Sequence, residues 1–183
     1  MIPSEHSAMG ALAASVLTYL WNRKNPNQNL SILVMAVLGA IAARIPDWDI
    51  TLVEVFGVEG SNFAHRSVYT HSILGIILFS TLLYMVLIAT NSIRKKFNHT
   101  NFISVKVVTF ILTIAFATHI LFDALEAYPT PTLYPISDHR FTGWVPGSVY
   151  HNTIFLFSTW IVGYGGSIAL ILSEKNNHNS SPK

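Results

Sequence analysis

Residues 104–125 read SVKVVTFILTIAFATHILFDAL, with Lys106, His119 and Asp123 as the only ionisable groups in the stretch. At 1.5 Å per residue a helix of that length reaches roughly 33 Å, enough to cross a hydrocarbon core of about 30 Å. A membrane-spanning helix is the expectation. His119 and Asp123 stand four residues apart and so share one helix face. An ionisable side chain inside a membrane helix costs roughly 2.5–3.5 kcal/mol on insertion scales, so the pair calls for a partner. Each other, a neighbouring helix and a metal ion all qualify.

Four more apolar stretches flank this one, at about residues 2–21, 30–43, 71–90 and 149–172. The whole chain of 183 residues is 51% hydrophobic and 11% charged, with a mean hydropathy of +0.44, where soluble proteins carry about a quarter charged residues. These features predict an all-α, polytopic transmembrane bundle of about five spans. One domain covers residues 1–173, and a disordered cytoplasmic tail follows at 174–183. The second stretch offers only 14 apolar residues, roughly 21 Å, so the first two segments form either full spans or a shallow hairpin. The first holds Glu5 and His6 and lacks the basic start and cleavage site of a secretory signal, so it reads as a retained segment.

Cytoplasmic loops retain Lys and Arg, and an outside N-terminus leaves eight of the eleven basic residues inside, with Arg44, Arg66 and Arg140 outside. The expected protein therefore sits in a bacterial or archaeal cytoplasmic membrane with its N-terminus out and its C-terminus in. The basic residues form no stripe, which argues against nucleic acid as a partner. The chain has no cysteine, so a metal would be held by nitrogen and oxygen alone.

Polar residues gather at the outer end of the spans. Ile45-Pro46-Asp47-Trp48-Asp49 closes the second stretch, and His65-Arg66-Ser67-Val68-Tyr69-Thr70-His71-Ser72 opens the third. Alone, the first reads as an ordinary polar turn, whereas the second, with two histidines, a guanidinium and hydroxyls, reads as ligand-bearing. Together with His6 and His119–Asp123 they put four separate elements at one depth, a convergence that suits a metal site. The candidate ligands are His6, Asp47, His65, His71, His119 and Asp123, with Asp49 a seventh ligand or a support to one. Six or seven exceed the needs of one tetrahedral zinc, so one or two divalent ions are expected, zinc before manganese or magnesium. The loop at residues 126–148 carries Tyr128, Tyr134 and Trp144, as an interfacial aromatic belt or a lid, and His139, Arg140 and His151 are candidate substrate contacts.

His6, the Pro46-Asp47-Trp48-Asp49 turn, His65-Arg66 with Thr70-His71-Ser72, His119 with Asp123, and Tyr134-Pro135 occur in an order that resembles the family described as LexA-regulated, membrane-bound, predicted metal-dependent hydrolases. Ser67 departs from the glycine of many relatives and touches only the local turn. The resemblance implies a membrane-bound hydrolase using a divalent metal. The His and Asp set is also similar in ligand type to that of helical zinc-dependent phospholipases C, without their N-terminal tryptophan ligand. In this reading Asp49 or a spare ligand carboxylate is the general base and Arg66 stabilises charge on a phosphoryl oxygen. Headgroup depth then points to a phosphoester substrate, a phospholipid or lipid-linked phosphate. The alternative is a divalent metal ion or proton transporter, which needs polar groups staged across the whole bilayer.

Overall fold

The computed structural model describes residues 3–179 except Asn27 and residues 51–54, 56, 58–65, 98–103 and 151. Its longer helices are α1 (Pro3–Lys24), α2 (Ile32–Ala42), α3 (Ile73–Lys96), α4 (Val105–Leu125), α5 (Thr153–Trp160) and α6 (Gly166–Asn179), with one short helical turn, Gly147–Tyr150, before α5. A 3-10 turn, Ile45–Asp47, follows α2, and a π-helical segment, Ile161–Gly165, joins α5 to α6. Among the described residues the only β pairings are two isolated bridges, Glu126 with Val145 and Thr130 with Phe141.

Three helical stretches are long and apolar enough to cross a membrane: Ile73–Lys96, Val105–Leu125 and Thr153–Lys175. Of the five spans expected, these three are the candidates among the described residues. With 11 residues, α2 rises only about 16 Å. The 22 residues of α1 reach about 33 Å, but its composition is mixed because it lies at the centre of the bundle, against α2, α4, α6 and the π segment. Ser15 and Thr18 are buried there and donate to the carbonyls of Ala11 and Ala14 in their own helix, so they need no partner outside it.

The helix starts follow local chemistry. Ser31 caps α2 by accepting from the Val34 amide, Ser72 caps α3 through the Gly75 amide, and Asn152 caps α5 through the Ile154 amide. Pro46 ends the run of α2. Asn22 closes the α1–α2 turn by bonding both the amide and the carbonyl of Leu30. Where the sequence suggests a disordered tail from Glu174, α6 instead continues to Asn179, and Glu174 accepts from Asn22 and from the Ile32 amide.

Two close crossings set the helix positions. A Cβ on Gly10 would lie 2.5 Å from the Gly39 carbonyl oxygen, and one on Gly163 would lie 2.6 Å from that of Ala8, so glycine is required where α1 meets α2 and the π segment. Beside them Ala14, Met35, Ala42, Val108, Ile111, Leu112 and Ala115 form the apolar core. Phe79 stacks on Phe116 at 4.5 Å to hold α3 against α4. These directions bring the start of α1, the end of α2, the start of α3 and the end of α4 to one end of the bundle.

Candidate metal centre

At that end His6, His71, His119, Asp49 and Asp123 are all at most 2% exposed, and Asp47 is slightly more open. The Nε2 atoms of His71 and His119 lie 3.1 Å apart. Asp123 Oδ2 is 3.3 Å from the first and 3.4 Å from the second. Asp47 Oδ1 is 3.4 Å from His119 Nε2 and 3.8 Å from His71 Nε2. Around a tetrahedral zinc with ligands at 2.0–2.1 Å, neighbouring ligand atoms stand about 3.3 Å apart. The His71, His119 and Asp123 atoms lie close to that spacing, and Asp47 groups with His119 and His6 in a second, overlapping set. His6 adds a fifth donor, its Nε2 being 3.4 Å from Asp123 Oδ1 while its ring stacks on His119 at 3.7 Å.

The partners of the other ring nitrogens set the tautomers. His119 Nδ1 is 2.8 Å from the Ala43 carbonyl, which can only accept, so Nδ1 carries the hydrogen and Nε2 a lone pair. Thr70 donates its single hydroxyl hydrogen to Asp49 at 2.7 Å, so its oxygen accepts from His71 Nδ1 at 2.8 Å. Asp49 Oδ2 is a further acceptor 3.3 Å from that nitrogen. With both Nδ1 atoms donating, two Nε2 lone pairs face each other across 3.1 Å, an arrangement that needs a cation or a proton between them. His6 Nδ1 and Asp47 Oδ2 are buried with no hydrogen-bond partner. Two overlapping three-donor groups, oriented rings and orphaned polar atoms all fit a divalent cation.

Charge leads to the same requirement. Burial alone would lower the His71 pKa, but hydrogen bonding with Asp123, Asp47 and Asp49 outweighs it and lifts the value to about 10. Burial would raise Asp47, yet His71, His119 and His6 hold its carboxyl below the usual range. Three carboxylates around one imidazole demand positive charge at their centre.

The structure thus brings together His6, Asp47, His71, His119 and Asp123, while His65 lies outside the described residues. Asp49 sits behind His71, held by Thr70 and 3.4 Å from the Ser67 amide, in the supporting position rather than at the mouth. Arg66 adopts a left-handed backbone (φ 60°) and turns its guanidinium inward. It pairs with Glu126, donates to the Tyr128 carbonyl and Thr130 hydroxyl at 3.2 Å each, and places Nε 3.7 Å from Asp123 Oδ2. Sequence reasoning missed the Ala43 carbonyl, Thr70 as a hydroxyl relay, and Thr130. Glu126 carried one signal, its place one turn beyond Asp123.

The loop after α4 is docked on the bundle. The Thr132 and Tyr134 carbonyls accept from the Ile73 and Leu74 amides, occupying free donors at the start of α3 just past His71. His139 and Arg140 are exposed on the loop, His139 against Phe141, and His151 lies outside the described residues.

Fold and site define a helical integral membrane protein with a buried His–Asp cluster at one end of its bundle. Residues 1–178 match the model described as YdjM inner membrane protein, and the chain belongs to that family. Comparison with curated proteins and with solved structures gives no match.

Proposed function

We propose that this chain is a metal-dependent hydrolase acting at the outer membrane face on a phosphoester, such as a phospholipid or lipid-linked phosphate. The observation that carries the reading is the buried triad of His71, His119 and Asp123, whose donor atoms stand 3.1–3.4 Å apart, sharing His119 with a second group of His6 and Asp47. Two or three imidazoles with carboxylates favour zinc over manganese or magnesium, and His6 gives room for a second ion. When bound, a divalent ion supplies Lewis-acid chemistry, favouring ionisation of a water molecule and polarising a phosphoryl oxygen.

The chain's own groups supply the rest. In this reading Asp47 Oδ2, which has no hydrogen-bond partner among the described residues, is the spare carboxylate oxygen that would take a proton from a water molecule, and Asp49 keeps the His71 ring in register. Arg66 binds a carboxylate in this structure, and a phosphoryl oxygen would take the same guanidinium edge from Glu126. An outside location for the cluster rests on the basic residues, with Arg94, Lys95 and Lys96 ending α3 at the opposite end. Against the transporter alternative, the buried hydroxyls of Ser15 and Thr18 inward of the cluster are spent on carbonyls of their own helix. On α4 itself the buried residues inward of His119 are Phe116, Ala115, Leu112, Ile111 and Val108.

Metal analysis of purified protein, followed by a phosphoester and lipid hydrolysis screen, tests the proposal. The wild type should hold at least one zinc per chain and turn over a phosphoester, and His119→Ala and Asp123→Ala should each lose most of both. Metal-dependent flux in sealed vesicles, with no cleavage across the screen, would overturn it.

A further inference from the structure

At the end of the bundle away from the cluster, the end of α1 and the start of α4 part to leave a cavity of about 180 Å³. On α1 its lining is Leu17, Leu20, Trp21 and Lys24, spaced three and four residues apart, so one helix stripe runs from apolar side chains to a cation. On α4 the lining is Val107, Phe110 and Ile111. Lys106 stands one turn before Phe110 and shares its face, so this stripe also ends in a cation at the same end of the bundle. Both lysines are exposed. Trp21 donates Nε1–H to the Gln28 carbonyl at 3.3 Å, which fixes its ring one turn before Lys24, and indole rings favour headgroup depth in a bilayer.

Charge at this end is one-sided. Residues 22–31, 91–106 and 174–183 contain a single acidic side chain, Glu174. Its carboxylate is taken up by Asn22 and the Ile32 amide, where α6 meets the α1–α2 turn. The positive charge over the cavity's mouth therefore has its complement outside the chain.

We propose that this cavity is a binding site for an anionic phospholipid, with the upper part of one acyl chain between α1 and α4 and the headgroup phosphate against Lys24 and Lys106. Apolar walls that end in cations match a molecule that is hydrocarbon at one end and anionic at the other, and basic pockets between membrane helices seat such headgroups. From Leu17 to Lys24 the helix rises about 10 Å, within the roughly 15 Å of one leaflet's hydrocarbon. The two lysines separate this cavity from the exposed face of α3, where Ile77, Leu78, Leu82 and Met85 have no cation among them. The site is independent of the chemistry at the cluster, and in the orientation proposed above it lies in the inner leaflet.

The test is native mass spectrometry of full-length protein in detergent with equimolar phosphatidylglycerol and phosphatidylcholine. One phosphatidylglycerol per chain should be retained at least fivefold over phosphatidylcholine. Lys24→Gln with Lys106→Gln should remove that preference, while Lys95→Gln with Lys96→Gln, an equal change in net charge at the end of α3, should leave it within twofold. Val107→Phe, which fills the cavity, should cut phosphatidylglycerol retention at least fivefold with both lysines present and helix content by circular dichroism unchanged. Glycerol phosphate, which has the anionic group without a tail, should displace none of the lipid. Equal retention of the two lipids, or equal loss in the two lysine pairs, would reduce the feature to the general positive charge of this end and overturn the site. Displacement by glycerol phosphate, or full retention in Val107→Phe, would overturn the acyl chain's place in it.

Discussion

Gly10 and Gly39 cross so closely that a Cβ built on either comes within 2.5 Å of the other's carbonyl oxygen. Each is followed four residues later by an alanine, Ala14 and Ala43, so two small-residue stripes mesh where α1 passes α2. His6 lies one turn before Gly10, and the Ala43 carbonyl, one turn after Gly39, receives His119 Nδ1–H. The contact that packs the helices therefore also sets the distance between the first and fourth elements of the cluster.

Gly39→Val should consequently weaken both fold and site. Overpacking of this kind costs about 1–3 kcal/mol. The expected result is a lower thermal midpoint in detergent together with a loss of bound zinc, whereas Leu38→Ala, on the exposed side of α2, changes neither. An unaltered zinc content in Gly39→Val would show that the crossing does not position the ligands.

Asp49 and Thr70 hold His71 by its Nδ1 side, and such supporting partners are typically worth 10- to 100-fold in metal affinity. Asp49→Asn should lower zinc affinity by that factor in a chelator competition while helix content by circular dichroism stays at the wild-type level. Thr70→Val should show a smaller loss in the same direction. Wild-type affinity in both variants would assign Asp49 to another role.

A His71 pKa near 10, against 6.5 for the free side chain, means that metal-free protein carries this proton at neutral pH. The stabilisation it brings is complete below about 6.5 and is lost as pH rises through about 10. Zinc must displace the proton, so apparent affinity should rise toward tenfold per unit between about pH 7 and 9, with proton release visible in weak buffer. Affinity independent of pH, with no proton released, would remove His71 from the ligand set.

Orientation is tested with single cysteines, since the chain has none of its own. Trp144 and Phe97 are 83% and 70% exposed at opposite ends of the bundle. An impermeant thiol reagent on intact cells should label Trp144→Cys and leave Phe97→Cys unlabelled until the membrane is opened. The reverse pattern would move the cluster to the cytoplasmic face with its geometry intact.

Length, polarity and spacing in the sequence were enough to show that 104–125 forms a membrane-crossing helix, that His119 and Asp123 share a face, and that His6, Asp47 and His71 belong to one layer. These properties are legible because the bilayer tests each segment separately for length and apolar content. The role of α1 is not legible that way. It packs against α2, α4 and the π segment, and hydropathy does not distinguish a helix buried among others from one too polar to cross. Only the tertiary structure shows that Glu126 occupies Arg66, that Asp49 stands behind His71, and that the Ala43 carbonyl orients His119. The 3.1 Å separation of the His71 and His119 nitrogens follows from how the start of α3 packs against α4, where Phe79 stacks on Phe116, a contact that the sequence alone does not reveal.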